Sequence, residues 1–158
     1  MSLKVYLETT IASYLAAHPS RDLIVAAHQR VTHDWWSKRR RFDVFVSKAV
    51  FVEAETGDPE AVSRRLRVLE GISVLEAGQE VAALAKALLS AGAIPEKAAV
   101  DAVHVAVAAV NGMDFLLTWN CAHIANAAVR RRIEQVCLAA GYRPPIICTP
   151  EELLEEER

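Results

Sequence analysis

Two polar residues, Asp101 and His104, interrupt an otherwise apolar run over residues 98–110. Three positions apart, they share one face of a helix. A helix apolar on all sides is a buried one, and aspartate is among the residues least often buried without a partner. An isolated carboxylate there is strongly unfavourable, so its charge needs a basic side chain, a hydrogen-bond network or a bound cation. Three more oxygen donors, Glu8, Glu53 and Asn120, follow apolar runs elsewhere in the chain. Carboxylates and carbonyl oxygens without a close Cys or His pair suit a hard cation such as Mg²⁺ or Mn²⁺. Such a cation can generate a nucleophilic hydroxide and steady the charge on a phosphate undergoing displacement.

These donors meet only if the elements carrying them converge. Residues 3–7 read as a first strand, after which Thr9 or Thr10 can cap a short helix through Leu15. Ser20 can cap a helix over residues 21–40, with Ile24, Ala27, His28, Val31 and Trp35 on its inward face. Residues 42–47 read as a second strand, and 48–56 as a short helix stopped by Gly57. Asp58 and Pro59 open a helix with Val62, Leu66 and Leu69 inward, and residues 72–75 follow as a strand. Residues 79–90 form the next helix, and Pro95 opens the central helix bearing Asp101. Residues 115–118 make a buried strand. A helix with Ile133, Val136, Cys137 and Ala140 on one face leads to a last strand at 146–148. Thr149, Pro150 and Glu152 start a short final helix.

Short apolar strands alternating with amphipathic helices predict an α/β fold, a sandwich around a mainly parallel sheet. Ligand sites of such sheets lie outside the carboxyl ends of the strands. That rule selects Glu8, the residues after Ser47, and Trp119-Asn120. The helix carrying Asp101 has to begin near the same edge.

Bulk properties narrow the class. With 158 residues the chain suits one domain, spanning residues 1–150, followed by an acidic helix or tail over 151–158. No apolar run reaches membrane-spanning length, and the N-terminus lacks a signal-peptide core, so the cytoplasm is the expected compartment and no membrane partner is expected. Cys121, Cys137 and Cys148 are too widely spaced for a metal pair and suggest no disulfide framework. The net charge of −2 does not advertise a polyanion partner. The clusters Lys38-Arg39-Arg40-Arg41 and Arg130-Arg131-Arg132 read first as solvated faces. The terminal Glu155-Glu156-Glu157 reads as a solubility feature. No strand is followed by a Gly-rich phosphate loop, which argues against a nucleotide-binding protein.

Four blocks, taken in order, resemble a known family. They are Val5-Tyr6-Leu7-Glu8-Thr9-Thr10; Val46-Ser47 with Glu53 and Gly57; Asp101-Ala102-Val103-His104-Val105-Ala106; and Asp114-Phe115-Leu116-Leu117-Thr118-Trp119-Asn120. Together they look like the signature of PIN-domain proteins, and most closely of VapC-type toxins of toxin–antitoxin pairs. The resemblance runs from about residue 3 to 150. It implies a PIN-like three-layer sandwich and a Mg²⁺- or Mn²⁺-dependent endoribonuclease that hydrolyses RNA with a metal-activated water. It further implies a homodimer and a cognate antitoxin. The acidic positions of the family fall on Glu8, Glu53, Asp101 and Asn120. Glu8 and Asn120 stand where Asp is usual: the first keeps the charge on a longer arm, the second keeps an oxygen but loses a charge. Asp114 precedes its strand and is expected at the far end. Thr9, His123, Arg130 and Arg131 become candidate RNA contacts, although Thr9 also suits a cap, and successive arginines on a helix diverge by about 100°. His104 reads as a satisfied core histidine. The competing reading is a PIN fold that no longer cuts and serves RNA or protein recognition.

Overall fold

A computed structural model of the chain describes residues 2–155. Among these residues five strands form one sheet: β1 (Leu3–Leu7), β2 (Phe42–Ser47), β3 (Ser73–Leu75), β4 (Phe115–Leu117) and β5 (Ile146–Cys148). Their order is β3-β2-β1-β4-β5, and every pairing is parallel, so the sheet is wholly rather than mainly parallel. A sheet of this kind is covered on both faces, and its central strands become continuous apolar runs. Val5, Tyr6 and Leu7 on β1 and Phe115, Leu116 and Leu117 on β4 are accordingly all buried.

The helices supply the two outer layers. α1 (Thr9–Ala16) and α2 (Leu23–Ser37) join β1 to β2, and α3 (Lys48–Ala54) and α4 (Pro59–Leu69) join β2 to β3. α5 (Gln79–Ser90) and α6 (Ala99–Val110) then cross back to β4, and α7 (Ala127–Ala139) leads to β5. α8 (Pro150–Glu155) closes the described chain against α2. α1 packs on α2, α3 and α4, whereas α5 packs on α6 and α7. That segregation is what right-handed crossovers require when the chain runs one way across the sheet from β1 to β3 and the other way from β3 through β4 to β5. α6 is the buried centre: Ala102, His104, Val105, Ala106, Val107, Ala108 and Ala109 are all enclosed, as its apolar circumference required.

Several expectations need correction. The inward face of α2 is set by Gln29, Thr32 and Trp35, while Ile24 is 70% exposed and Ala27 also faces out. Polar side chains take the buried positions because each carries bonds there. Gln29 accepts from the Ser20 N–H and donates to the His18 carbonyl, closing the α1–α2 loop, and Thr32 accepts from the Trp119 indole at 2.8 Å. Asp22, not Ser20, caps α2 by accepting from the Ile24 and Val25 N–H groups. α2 stops at Ser37, and Arg39–Arg41 form a 3₁₀ turn. α6 begins at Ala99 after a second such turn, not at Pro95. Thr149 and Glu152 do form the expected reciprocal cap of α8. Glu156 and Glu157 lie outside the described residues, as does the side chain of Glu155. Among the described residues the cysteines form no disulfide: Cys137 and Cys148 are buried and Cys121 is exposed. No helix among the described residues is long and apolar enough to cross a membrane.

Candidate functional site

Strand order reverses between β1 and β4, since β2 and β3 extend one way from β1 and β5 the other way from β4. An open α/β sheet leaves its crevice at that point, beyond the carboxyl ends. Glu8 is the first residue past β1 and is only 3% exposed. It is itself the N-cap of α1, the role expected of Thr9 or Thr10. Its Oε1 accepts from the Thr10 N–H at 3.1 Å, from the Thr10 hydroxyl, and from the Thr118 hydroxyl at 2.7 Å. Thr118 immediately follows β4, so Glu8 ties the ends of the two central strands together. Burial drives the Glu8 carboxyl above the usual glutamate range, against the opposing charge of His104 and these hydrogen bonds.

Glu53 reaches the same edge from the last turn of α3. Its Oε1 accepts from His104 Nε2 and from the Thr9 hydroxyl, each at 2.5 Å. Burial works against its charge, but the His104 and Thr9 hydrogen bonds and the His104 charge outweigh it, holding the carboxyl below its ordinary range. Thr9 therefore orients Glu53 and does not cap α1. Glu55 points to solvent.

His104 is fully buried, with Nδ1 hydrogen-bonded to the Tyr6 hydroxyl at 2.7 Å. Glu8, Glu53 and His104 each bring a potential ligand atom within 4.8 Å of the others. Both His104 nitrogens are occupied, however, so the ring acts as a partner to Glu53 and not as a free donor.

Asp101, in the first turn of α6, stands outside that trio. Its Oδ2 accepts from His123 Nδ1 at 3.0 Å, so a basic side chain meets the half-buried carboxylate. Asn120 Oδ1 accepts from the His123 N–H at 3.1 Å, and the Asn120 N–H donates to Thr118 Oγ1 at 2.9 Å. Hydrogen bonds thus run from Glu8 through Thr118 and Asn120 to His123 and Asp101. The four predicted donors belong to one edge, three of them through partners not predicted. On each carboxylate one oxygen is held: Glu8 Oε1, Glu53 Oε1 and Asp101 Oδ2. Among the described residues the other oxygen of each accepts no hydrogen bond from the protein.

The remaining candidates separate. Asp114 sits at the opposite end of β4, accepting from the Lys4 N–H at 2.8 Å and from Arg143 at 3.1 Å. The Arg130 guanidinium donates to the Ile147 carbonyl at 3.0 Å and lies 3.5 Å from Glu152, so it anchors α7 to β5 and α8. Arg131 and Arg132 are exposed. Three further contacts were not anticipated: Thr118 and Thr10 on Glu8, and Tyr6 on His104. Only Tyr6 left a trace, in the first strand two positions before Glu8. Beside them Trp119 stacks on His28 at 4.1 Å, with Tyr14 at 5.9 Å.

No family model matches the chain, and no curated relative does. Among solved structures, the chain is similar to a chain of VapBC2 from Rickettsia felis, crystallised bound to a DNA fragment from their promoter. The match has a TM-score of 0.60 and covers 93% of this chain and 98% of that one, at 14% identity. At that identity the likeness is one of fold.

Proposed function

We propose that this chain, whose fold is PIN-like, is a metal-dependent endoribonuclease, the toxin of a toxin–antitoxin pair, working through Glu8, Glu53, Asp101 and Asn120. The observation that carries the reading is the half-held state of its three carboxylates. Fixing one oxygen by hydrogen bonds orients a carboxylate and leaves the other for a cation, which is how outer partners tune metal ligands. Asn120 adds a carbonyl oxygen whose second lone pair is not taken by the His123 N–H. A few carboxylates suffice for Mg²⁺, which keeps several waters, and Mn²⁺ suits the same oxygen donors. Either ion, when bound, would supply Lewis-acid stabilisation of phosphate charge and a water of lowered pKa.

The protein's own part is to hold and exclude. Thr10 and Thr118 fix Glu8, Thr9 and His104 fix Glu53, and His123 fixes Asp101. His123 and the exposed Arg131 remain RNA contacts in this reading, whereas Arg130 is committed to β5 and Thr9 to Glu53. The likeness to a VapBC2 structure supports an antitoxin partner; a homodimer stays part of the proposal.

The test is cleavage of RNA by purified protein. Activity should vanish in EDTA, return with Mn²⁺, and be lost in Asp101→Ala with the fold intact by circular dichroism. Full activity in that variant sinks the proposal. A second reading, a PIN fold that binds without cutting, is favoured by the use of the Asn120 amide oxygen as a turn cap. No Mn²⁺ binding at millimolar concentration, with RNA binding retained, would select it.

A further inference from the structure

Beneath the carboxylates lies a chain of buried polar side chains that the proposed chemistry does not touch. Ser47, Tyr6 and His104 are each 0% exposed. Ser47 Oγ and the Tyr6 hydroxyl are 2.6 Å apart, the Tyr6 hydroxyl and His104 Nδ1 2.7 Å, and His104 Nε2 and Glu53 Oε1 2.5 Å. Nε2 must donate in the last bond, because a carboxylate only accepts. The ring is therefore held at both nitrogens.

Both ends of this chain belong to one helix. Ser47 is the N-cap of α3, and Glu53 lies in its last turn. A serine at an N-cap ordinarily accepts from a backbone N–H of the first turn, a bond worth about 1 kcal/mol. Ser47 makes no such bond; its hydroxyl is spent on Tyr6 instead. A short helix of seven residues thus gives up a local cap so that its two ends are gripped by β1 and α6. Three polar groups in a core are costly unless fully satisfied, and these are satisfied only when α3 sits at one register along the sheet.

Resting on the proposed metal-dependent reading, we propose that Ser47, Tyr6 and His104 are positioning residues, a bracket that sets the register of α3 and so the place of Glu53 relative to Glu8 and Asp101. None of the three touches substrate or cation. Tyr6 lies in β1, two residues before Glu8, and His104 and Asp101 share a face of α6. The bracket therefore ties Glu53 to the two elements that carry the other carboxylates.

The test is Mn²⁺ affinity by calorimetry on EDTA-stripped protein, beside a melting temperature for each variant. Tyr6→Phe removes one hydroxyl two residues away from Glu53 in the hydrogen-bond chain. It should weaken Mn²⁺ several-fold. His104→Leu should weaken it by about ten-fold or more, the usual loss when an outer partner is removed. His104→Gln, whose amide can still donate to Glu53, should recover part of that loss. Ile133→Val, a cavity in the fully buried face of α7, controls for lost stability and should leave the affinity unchanged. Should His104→Leu fail to fold, Tyr6→Phe decides. Variants that melt lower yet bind Mn²⁺ as wild type overturn the bracket and leave the metal reading standing. A wild type that binds no Mn²⁺ overturns both.

Discussion

At the scale of single residues, two glutamates of one edge are driven in opposite directions. Glu8 is raised chiefly by burial, whereas in Glu53 hydrogen bonds and the charge of His104 overcome burial. A raised carboxyl favours the fold at low pH, and that contribution is lost as pH climbs from the ordinary glutamate range through the folded-state value. A lowered carboxyl favours the fold above the ordinary range and loses its contribution as pH falls through the folded-state value. Metal-free protein should therefore become less stable above the glutamate range on account of Glu8, and less stable below it on account of Glu53. Glu8→Gln removes the first effect. Melting in EDTA should show the variant at least as stable as wild type at pH 8, while calorimetry shows its Mn²⁺ binding gone. A variant much less stable than wild type at pH 8 would mean that the Glu8 charge is welcome in its pocket without a cation. Because a carboxyl raised by burial holds a cation only in its charged form, Mn²⁺ affinity should also rise with pH.

At the scale of elements, the central strands carry both the core and the site. Leu116 is fully buried on β4, two residues before the threonine that holds Glu8. Leu116→Ala should cost about 2–5 kcal/mol, the range for deleting a large apolar side chain from a core, as read by urea denaturation. A cost below 1 kcal/mol would mean that the sheet collapses around the cavity. α2 teaches the opposite lesson about pattern. Its apolar spacing pointed Ile24 inward, yet the helix turned to bury Gln29 and Thr32, whose hydrogen bonds reach a loop and the Trp119 indole. Periodicity counts apolar residues, and it is blind to a polar side chain that finds its partner only after folding.

At the scale of the whole molecule, a net charge of −2 leaves only local positive groups to meet an RNA. Arg130 is held by β5 and Glu152, so of the two α7 arginines proposed as RNA contacts only the exposed Arg131 is expected to face phosphate. In EDTA, where cutting stops, binding of a single-stranded RNA should fall only gently with salt. Arg131→Ala should reduce the slope of log K against log salt by about 0.7, the counterion released by one phosphate contact on a single strand. An unchanged slope would remove α7 from the RNA path.

By itself the sequence determined the order and kind of the elements, because strands and helices write their own periods into the chain. It also determined that Glu8, Asp101 and Asn120 lie near carboxyl ends of strands, since that follows from element order alone. Asp114 could be placed at the far end for the same reason. Tertiary structure decided who answers each charge: His123 for Asp101, Thr118 for Glu8, and His104 with Thr9 for Glu53. Thr118 lies 110 positions from Glu8, and His104 lies 51 from Glu53. No local propensity reaches that far. Such partners become neighbours only when a wholly parallel sheet brings the ends of β1, β2 and β4 to one edge and lays α6 across it.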